Sequence, residues 1–388
     1  ANVDYTVKVD VEGLQPATDY YYRFLTVNNT SPTGRTRTLP EGAVTAAAFA
    51  VVSCSNYPAG FFNVYREVAK QEVDAVLHLG DYLYEYGPAQ YGSLRTPEPP
   101  TEMVTLADYR ARHAQYKRDP DSQAVHRQHP FIAIWDDHDY GVNDGGAGYS
   151  RKAESQQVML DFYGVPADSP RRKRLRVYES WRFGPEGKRV QIILLDLRYF
   201  RSRASKDTRS AEEKARLNLV GWYVPNQDPD ATVLGADQWA WLEAQFRMPA
   251  DLRIIGSSTQ VIASEKGMES WGNFPLERKR LYDLIGRTGA NGVVFISGDV
   301  HFSEISRTNE GPYPLFDFTS SGLTNSHPGW AAAVNPHRVS PIAYAEPNFG
   351  LLRIDWNAPA PAVTMETRTL TGSVAISQKI LLSDLKKK

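Results

Sequence analysis

Cysteine is almost missing from this chain: among 388 residues there is one, Cys54. An intrachain disulfide is therefore excluded, and the thiol is a small buried hydrophobe, a reactive nucleophile or a metal ligand. Net charge is missing as well. The 44 Lys and Arg nearly cancel the 45 Asp and Glu, so no global field draws the chain to nucleic acid or to an anionic membrane. No apolar run approaches the roughly 18 residues that suggest a membrane span, and mean hydropathy is -0.45. Ala1 is followed by no basic, apolar leader, which leaves a mature or trimmed form as the expectation. Internal repeats are absent, and the only biased tract is the short tail Lys386 to Lys388.

Aromatic residues, by contrast, are plentiful: 21 Tyr, 15 Phe and 8 Trp suit strand-rich structure and ring-walled clefts. A chain of this length predicts one large domain with a sizeable core plus a smaller one. Residues 1–42 read as the smaller. Tyr5 to Val11 alternates apolar and polar residues, as does the second half of Tyr20 to Val27, and Gly13 to Thr18 supplies turn chemistry between them. Leu14 to Tyr22 resembles the corner before a late strand of a fibronectin III-like β-sandwich, of which about half is present. Asn28 to Ser31 holds two overlapping glycosylation sequons, relevant only to a eukaryotic secretory route. Thr38 to Gly42 reads as a linker, and residues 43–388 as the main domain.

From Ala47 onward strands and helices alternate, which predicts an α/β fold. Short apolar strands are expected at Ala47–Ser53, around Val76, at Phe131–Trp135, Val190–Leu195 and Val293–Ile296, with three more near the end of the chain. Helices are expected at Phe61–Gln71, from about Thr105 to His126, and at Ser150–Tyr163, Ala236–Phe246 and Pro275–Ile285. Five strands end in residues able to bind a metal: Cys54, Asp81, Asp136-Asp137-His138, Asp196 and Asp299 with His301. Any one of these is as readily a capped turn. Parallel strands would gather the five at one sheet edge, where α/β proteins bind ligands, and five capped turns in one place is a poor explanation.

The donor types sort into two sets. Thiolate and phenolate suit a trivalent or borderline transition metal, whereas carboxylates suit Ca²⁺, Mn²⁺ or Mg²⁺. Asp81 with Cys54, Tyr84 and His301 can hold an Fe³⁺-like ion; Asp81 with Asp137 and Asp299 can hold a harder divalent one. A shared Asp81 would set the ions roughly 3.5–4 Å apart, the spacing of two-metal hydrolases. His138 beside them can protonate a leaving oxygen. Arg198 can bind phosphate bidentately or form a surface ion pair. Asn143 and Asp144 can complete a Ca²⁺ shell or simply turn the chain. Trp271, Asn273 and Phe274 can line the cleft mouth or fill the core. His78, inside its strand, reads as structural, and His113, His126 and His129 as surface residues.

Ser53-Cys54, Gly80-Asp-Tyr-Leu-Tyr-Glu85, Trp135-Asp-Asp-His-Asp139, Leu195-Asp-Leu-Arg-Tyr199 and Ser297-Gly-Asp-Val-His-Phe-Ser303 occur in this order. Together with Asp137 to Gly145, Ser270 to Pro275 and Phe318 to Gly322, they resemble the PhoD-type alkaline phosphatases of the calcineurin-like metallophosphoesterases. The likeness runs over about residues 43–355. It implies a four-layer α-β-β-α sandwich, an Fe³⁺ site at Cys54, Asp81, Tyr84 and His301, and a Ca²⁺ site at Asp81, Asp137 and Asp299. One or two Ca²⁺ are expected, with Mn²⁺, Mg²⁺ or Zn²⁺ as possible substitutes. His138 keeps the position of the leaving-group acid. Asp137 replaces an Asn of the wider superfamily, Asp299 replaces a His, and Ser257 to Gln260 lacks the His expected on the second metal. The implied activity is hydrolysis of phosphate monoesters, diesters or both by metal-activated hydroxide, with secretion to the periplasm, cell surface or medium. The substrate would be a small-molecule, lipid or nucleotide phosphate ester, with no stable nucleic-acid partner. Alternatives are a dedicated phosphodiesterase of phospholipase D-like or nuclease-like type, Cys54 as nucleophile, and a non-catalytic secreted binding protein.

Overall fold

The computed structural model describes residues 7–42, 44–87, 90 and 92–387. Strand β1 (Asp19–Tyr22) pairs antiparallel with β2 (Gly34–Arg37). The main domain opens with β3 (Ala46–Val52), β4 (Ala75–His78) and β5 (Phe131–Ala133), parallel to one another. A hairpin of β6 (Glu179–Phe183) and β7 (Val190–Leu194) follows, then a small ladder of β8 (Ser205–Lys206) and β9 (Tyr223–Val224). Next come β10 (Leu252–Ser257), β11 (Val293–Ser297), β12 (Ser303–Thr308) and β13 (Leu315–Ser320). The chain closes with β14 (Asn348–Asp355), β15 (Ala362–Thr369) and β16 (Val374–Leu381).

Twelve of these strands form two six-stranded mixed sheets. One has the order β12-β13-β11-β10-β7-β6 and the other β16-β15-β14-β3-β4-β5. The alternation of side chains along β3 explains how they pack. Phe49 and Val51 point into a core shared with Ile192, Ile254 and Phe295 of the other sheet, and the Phe49 and Phe183 rings are 6.0 Å apart. Ala50 and Val52 point the other way, onto Val64, Tyr65 and Val68 and onto Tyr109, Tyr116 and Val125 from helices. Trp239, Leu242 and Phe246, one face of the helix Gly235–Arg247, and Leu281 and Ile285 of the helix Pro275–Thr288 join the larger core. The strands of β7 and β11 are buried throughout, as parallel strands covered on both faces require.

The helical segments expected from about Thr105 to His126 are two helices. Thr105 caps Leu106–Arg118 with a capping box to Asp108, and Asp119 then caps a second helix, Pro120–Gln128. Pro120 has no N–H to continue the first helix and a φ that suits the start of the second. In the smaller domain, Tyr5 and Thr6 lie outside the described residues, and residues 7–11 form no strand, leaving Val7, Val9 and Val11 exposed. The Tyr20 strand ends at Tyr22 and takes β2, a Gly-Arg-Thr-Arg segment, as its partner.

Two histidines expected at the surface are buried instead. His113 stacks on Phe162 at 4.4 Å, and His129 closes the helix Pro120–Gln128. Half-buried His126 stacks on Phe131 at 3.8 Å and meets Lys117 Nζ at 3.0 Å. His78 is buried in β4, with Nε2 2.9 Å from the Tyr65 hydroxyl.

Because Phe49 fills the space between the sheets, Phe49→Ala should lower unfolding free energy by about 3–5 kcal/mol in urea titration. Tyr21→Ala, at a position 71% exposed, should change it by less than about 0.5 kcal/mol.

Candidate metal centre

The strand mouths converge from two sheets rather than one. Cys54 follows β3, Asp81 follows β4 and Asp136-Asp137 follow β5, while Asp299 and His301 follow β11 of the other sheet. The chain turns sharply at each mouth. Cys54, Asp81, Asp299 and His301 all have left-handed backbone, with φ of 65°, 53°, 72° and 58°. That conformation costs a non-glycine residue roughly 1–2 kcal/mol, and it aims the four side chains inward. Two glycines allow the mouths to touch. A Cβ on Gly80 would lie 2.4 Å from the Asp136 backbone nitrogen, and one on Gly298 would lie 2.6 Å from Ser53 Oγ.

Ligand atoms of Cys54, Asp81 and His301 lie within 4.8 Å of one another. Tyr84 joins this group: its hydroxyl donates to Asp81 Oδ2 at 3.0 Å and lies 3.3 Å from His301 Nε2. The Cys54 thiol donates to the same Asp81 oxygen at 3.4 Å, and its Sγ is 3.1 Å from Ser321 Oγ. Asn325 Nδ2 lies 3.2 Å from His301 Nδ1. A second group shares Asp81, with Asp136, Asp137 and Asp299 also within 4.8 Å, and a third comprises Asp137, Asp144 and Glu269.

Burial pushes the Asp81 and Asp299 carboxyls well above their usual range, and the neighbouring carboxylates push them further. Burial raises the Cys54 thiol and the Tyr84 phenol too, with Asp81 adding to both. Asp137 is held down instead: burial opposes its charge, but His138 and Arg198 outweigh it. Among the described residues Asp81 Oδ1 and Asp137 Oδ1 are buried with no hydrogen-bond donor, although Arg198 Nη2 lies 3.6 Å from Asp137 Oδ1. Crowded anionic donors and orphaned oxygens are what bound cations satisfy, and a cation would reverse the upward shifts. The donors therefore fit two unlike ions, one with thiol, phenol, imidazole and carboxylate donors and the other with carboxylates alone.

His138 stands beside them, with Nδ1 2.6 Å from Glu85 Oε2 and its ring stacked on Tyr84 at 4.0 Å. Burial alone would favour the neutral ring. Glu85, Asp137 and Asp81 outweigh burial and raise His138 well above an ordinary histidine. The other Glu85 oxygen accepts from the Asn143 backbone N–H at 3.1 Å. Glu85 was visible in the sequence, directly after Tyr84, but nothing local showed that it would reach His138.

Arg198 requires a correction. It is fully buried, and its guanidinium lies 2.5 Å from Asp136 and 2.6 Å from Glu269, so it is closed to substrate phosphate and is not a surface pair. Its role here is to hold those two carboxylates in place. Asp196 is likewise structural: Oδ1 accepts from Trp135 Nε1 and from the backbone N–H groups of Arg198 and Tyr199. Gln260 donates to Glu304 and Thr319, and Trp271, Asn273 and Phe274 are core residues. Glu269, beyond Gln260 in the chain, brings a carboxylate to this side of the cleft. It lies in no strand or motif, so no periodicity announced it. Asn143 and Asp144 line the cleft, and burial followed by Glu269 lifts Asp144 to about 6.

Two mixed sheets that deliver buried anionic donors to one cleft define an α/β protein with a candidate metal centre. The model of PhoD-like phosphatases matches residues 49–339, and that of the PhoD-like N-terminal domain matches residues 1–40. Alkaline phosphatase D of Bacillus subtilis (strain 168) is 33% identical over 349 residues, covering 82% of this chain and 56% of the relative. The chain thus spans a little over half the length of that curated relative. A solved structure of PhoD superposes with a TM-score of 0.77 at 27% identity, covering 97% of this chain and 78% of that one. The chain belongs to the PhoD-like phosphatase family.

Gly80→Ala should separate the Asp81 and Asp136 mouths. We expect metal content measured by mass spectrometry to fall by at least half while far-UV circular dichroism keeps its wild-type shape. Full metal content in the variant would contradict this picture of the mouth.

Proposed function

We propose that the chain is a metal-dependent phosphate-ester hydrolase with a binuclear site, Fe³⁺ at Cys54, Asp81, Tyr84 and His301 and Ca²⁺ at Asp81, Asp137 and Asp299. One observation carries this reading: His138, braced by Glu85 at 2.6 Å, stands beside a cluster of acidic donors that borders an open cleft. The bound cations would neutralise phosphoryl charge and acidify water at the site. His138 would deliver its proton to the leaving oxygen, with Glu85 fixing the ring and stabilising its charge. Arg198 would keep Asp136 and Glu269 in register behind the donors. Cys54 is not the nucleophile in this reading. Its thiol is buried, and burial with Asp81 beside it disfavours the thiolate in the absence of a cation.

The N-terminal segment to about residue 42 is proposed as a separate partial sandwich, with residues 43–388 as the catalytic domain. The order of layers we propose for that domain is helix, sheet, sheet, helix. Its support is the two-faced packing of β3 and β4 and the helices Gly235–Arg247 and Pro275–Thr288 on the larger core. Monoesters and diesters both remain substrates in this proposal. Export is also proposed, on the family resemblance; no helix among the described residues is long and apolar enough to cross a membrane.

Assays with p-nitrophenyl phosphate and bis-p-nitrophenyl phosphate in the presence of Ca²⁺ test the activity. Turnover of neither by metal-loaded protein would refute it. His138→Ala should lower kcat by about 10²–10⁴-fold on an alkyl phosphate and by distinctly less on p-nitrophenyl phosphate, whose phenolate leaves without a proton. Equal losses on the two substrates would remove His138 from the acid role.

A further inference from the structure

The cleft above the donors has a volume of about 430 Å³, within the roughly 300–1,000 Å³ of pockets that enclose an organic ligand and larger than a phosphate group alone needs. His138, Asp299 and His301 lie at its base, and Lys206, Trp222 and Trp330 line it as well. The two tryptophans meet nearly at right angles, 87°, with ring centres 5.9 Å apart. Trp330 is fixed in the short helix Pro328–Ala331, where its ring stacks on His327 at 4.2 Å and on His301 at 5.2 Å. Trp222 is different. Its backbone is held, its carbonyl accepting from the Asp207 N–H at 2.8 Å, yet its side chain is left 45% exposed beside the cleft. A large ring held in place and half in water gains by covering itself with another flat apolar surface.

We propose that Trp222 is the platform for the organic group of the substrate and selects phosphate esters whose alcohol is a planar ring, aryl or nucleoside. This rests on the phosphate-ester reading above. The corner between Trp222 and the anchored Trp330 gives a ring both a face and an edge to pack against. Lys206 Nζ, 3.1 Å from the Tyr223 hydroxyl, adds positive charge beside this corner and favours an anionic substrate. Polyol esters gain less from the tryptophan corner itself, whose broad apolar surface a row of hydroxyls does not cover.

Titration calorimetry with phenylphosphonate and methylphosphonate tests the platform, since a C–P bond is not an ester and neither ligand is turned over. Wild-type protein should bind phenylphosphonate about tenfold more tightly than methylphosphonate, a difference of about 1.4 kcal/mol. Trp222→Ala should lose that preference, and Trp222→Phe should keep most of it. In assays, the ratio of kcat/KM for p-nitrophenyl phosphate over glycerol 3-phosphate should fall about tenfold in Trp222→Ala. An unchanged ratio, or equal losses of both phosphonates, would overturn the platform. A Trp222-dependent phenyl preference in a protein that hydrolyses no ester would sink the enzyme reading and leave the platform standing.

Discussion

Four carboxylates, Asp81, Asp136, Asp137 and Asp299, are forced within 4.8 Å of one another at the meeting point of two sheets. Two like charges about 4 Å apart cost about 4 kcal/mol at an effective dielectric of about 20, a large share of the 5–15 kcal/mol that stabilises an ordinary domain. The rest of the site follows from how this repulsion is relieved. Arg198 pairs with Asp136 at the rear of the cluster and with Glu269 beside it, and the His138 imidazole borders one flank. Among the described residues Asp81 Oδ1 and Asp137 Oδ1 are left with no hydrogen-bond donor, an arrangement that a cation would relieve.

The two-sheet architecture makes that concentration of charge possible. Each strand ends at a different mouth, and the mouths touch only because Gly80 and Gly298 have no side chain to keep them apart. Left-handed backbone at Cys54, Asp81, Asp299 and His301 then turns each donor inward. Conformational strain at these four positions persists because the buried strands behind them, β3, β4 and β11, over-determine the loops. The cost is met in the hydrophobic core, where Phe49, Ile254 and Phe295 lock the sheets together.

Much of this was legible in the sequence. Apolar runs ending in Cys54, Asp81, Asp136 and Asp299 marked the mouths, and Pro275 marked the start of a helix. What could not be read was long-range. Nothing around Arg198 reveals that Asp136 and Glu269 enclose it, so the sequence allowed a substrate contact that burial forbids. The same holds for Glu85, whose partner His138 lies 53 residues further along the chain, and for Glu269, which sits in a loop without periodicity. His113 and His129 looked like surface residues because no partner spacing marked them, while what buries them comes from elsewhere, as Phe162 does for His113. The cleft's rim, Trp222 and Trp330, comes from a loop and a short helix far apart in the chain and has no motif at all.

If Asp81 joins two unlike cations, the purified protein should carry iron and calcium together and should be coloured by charge transfer from the Tyr84 phenolate to Fe³⁺. Elemental analysis with a visible absorption spectrum measures both at once. The expected result is about one iron and at least one calcium per chain, with an absorption band that disappears in Tyr84→Phe while calcium is retained. A colourless, iron-free protein with full phosphatase activity would contradict the bridged pair.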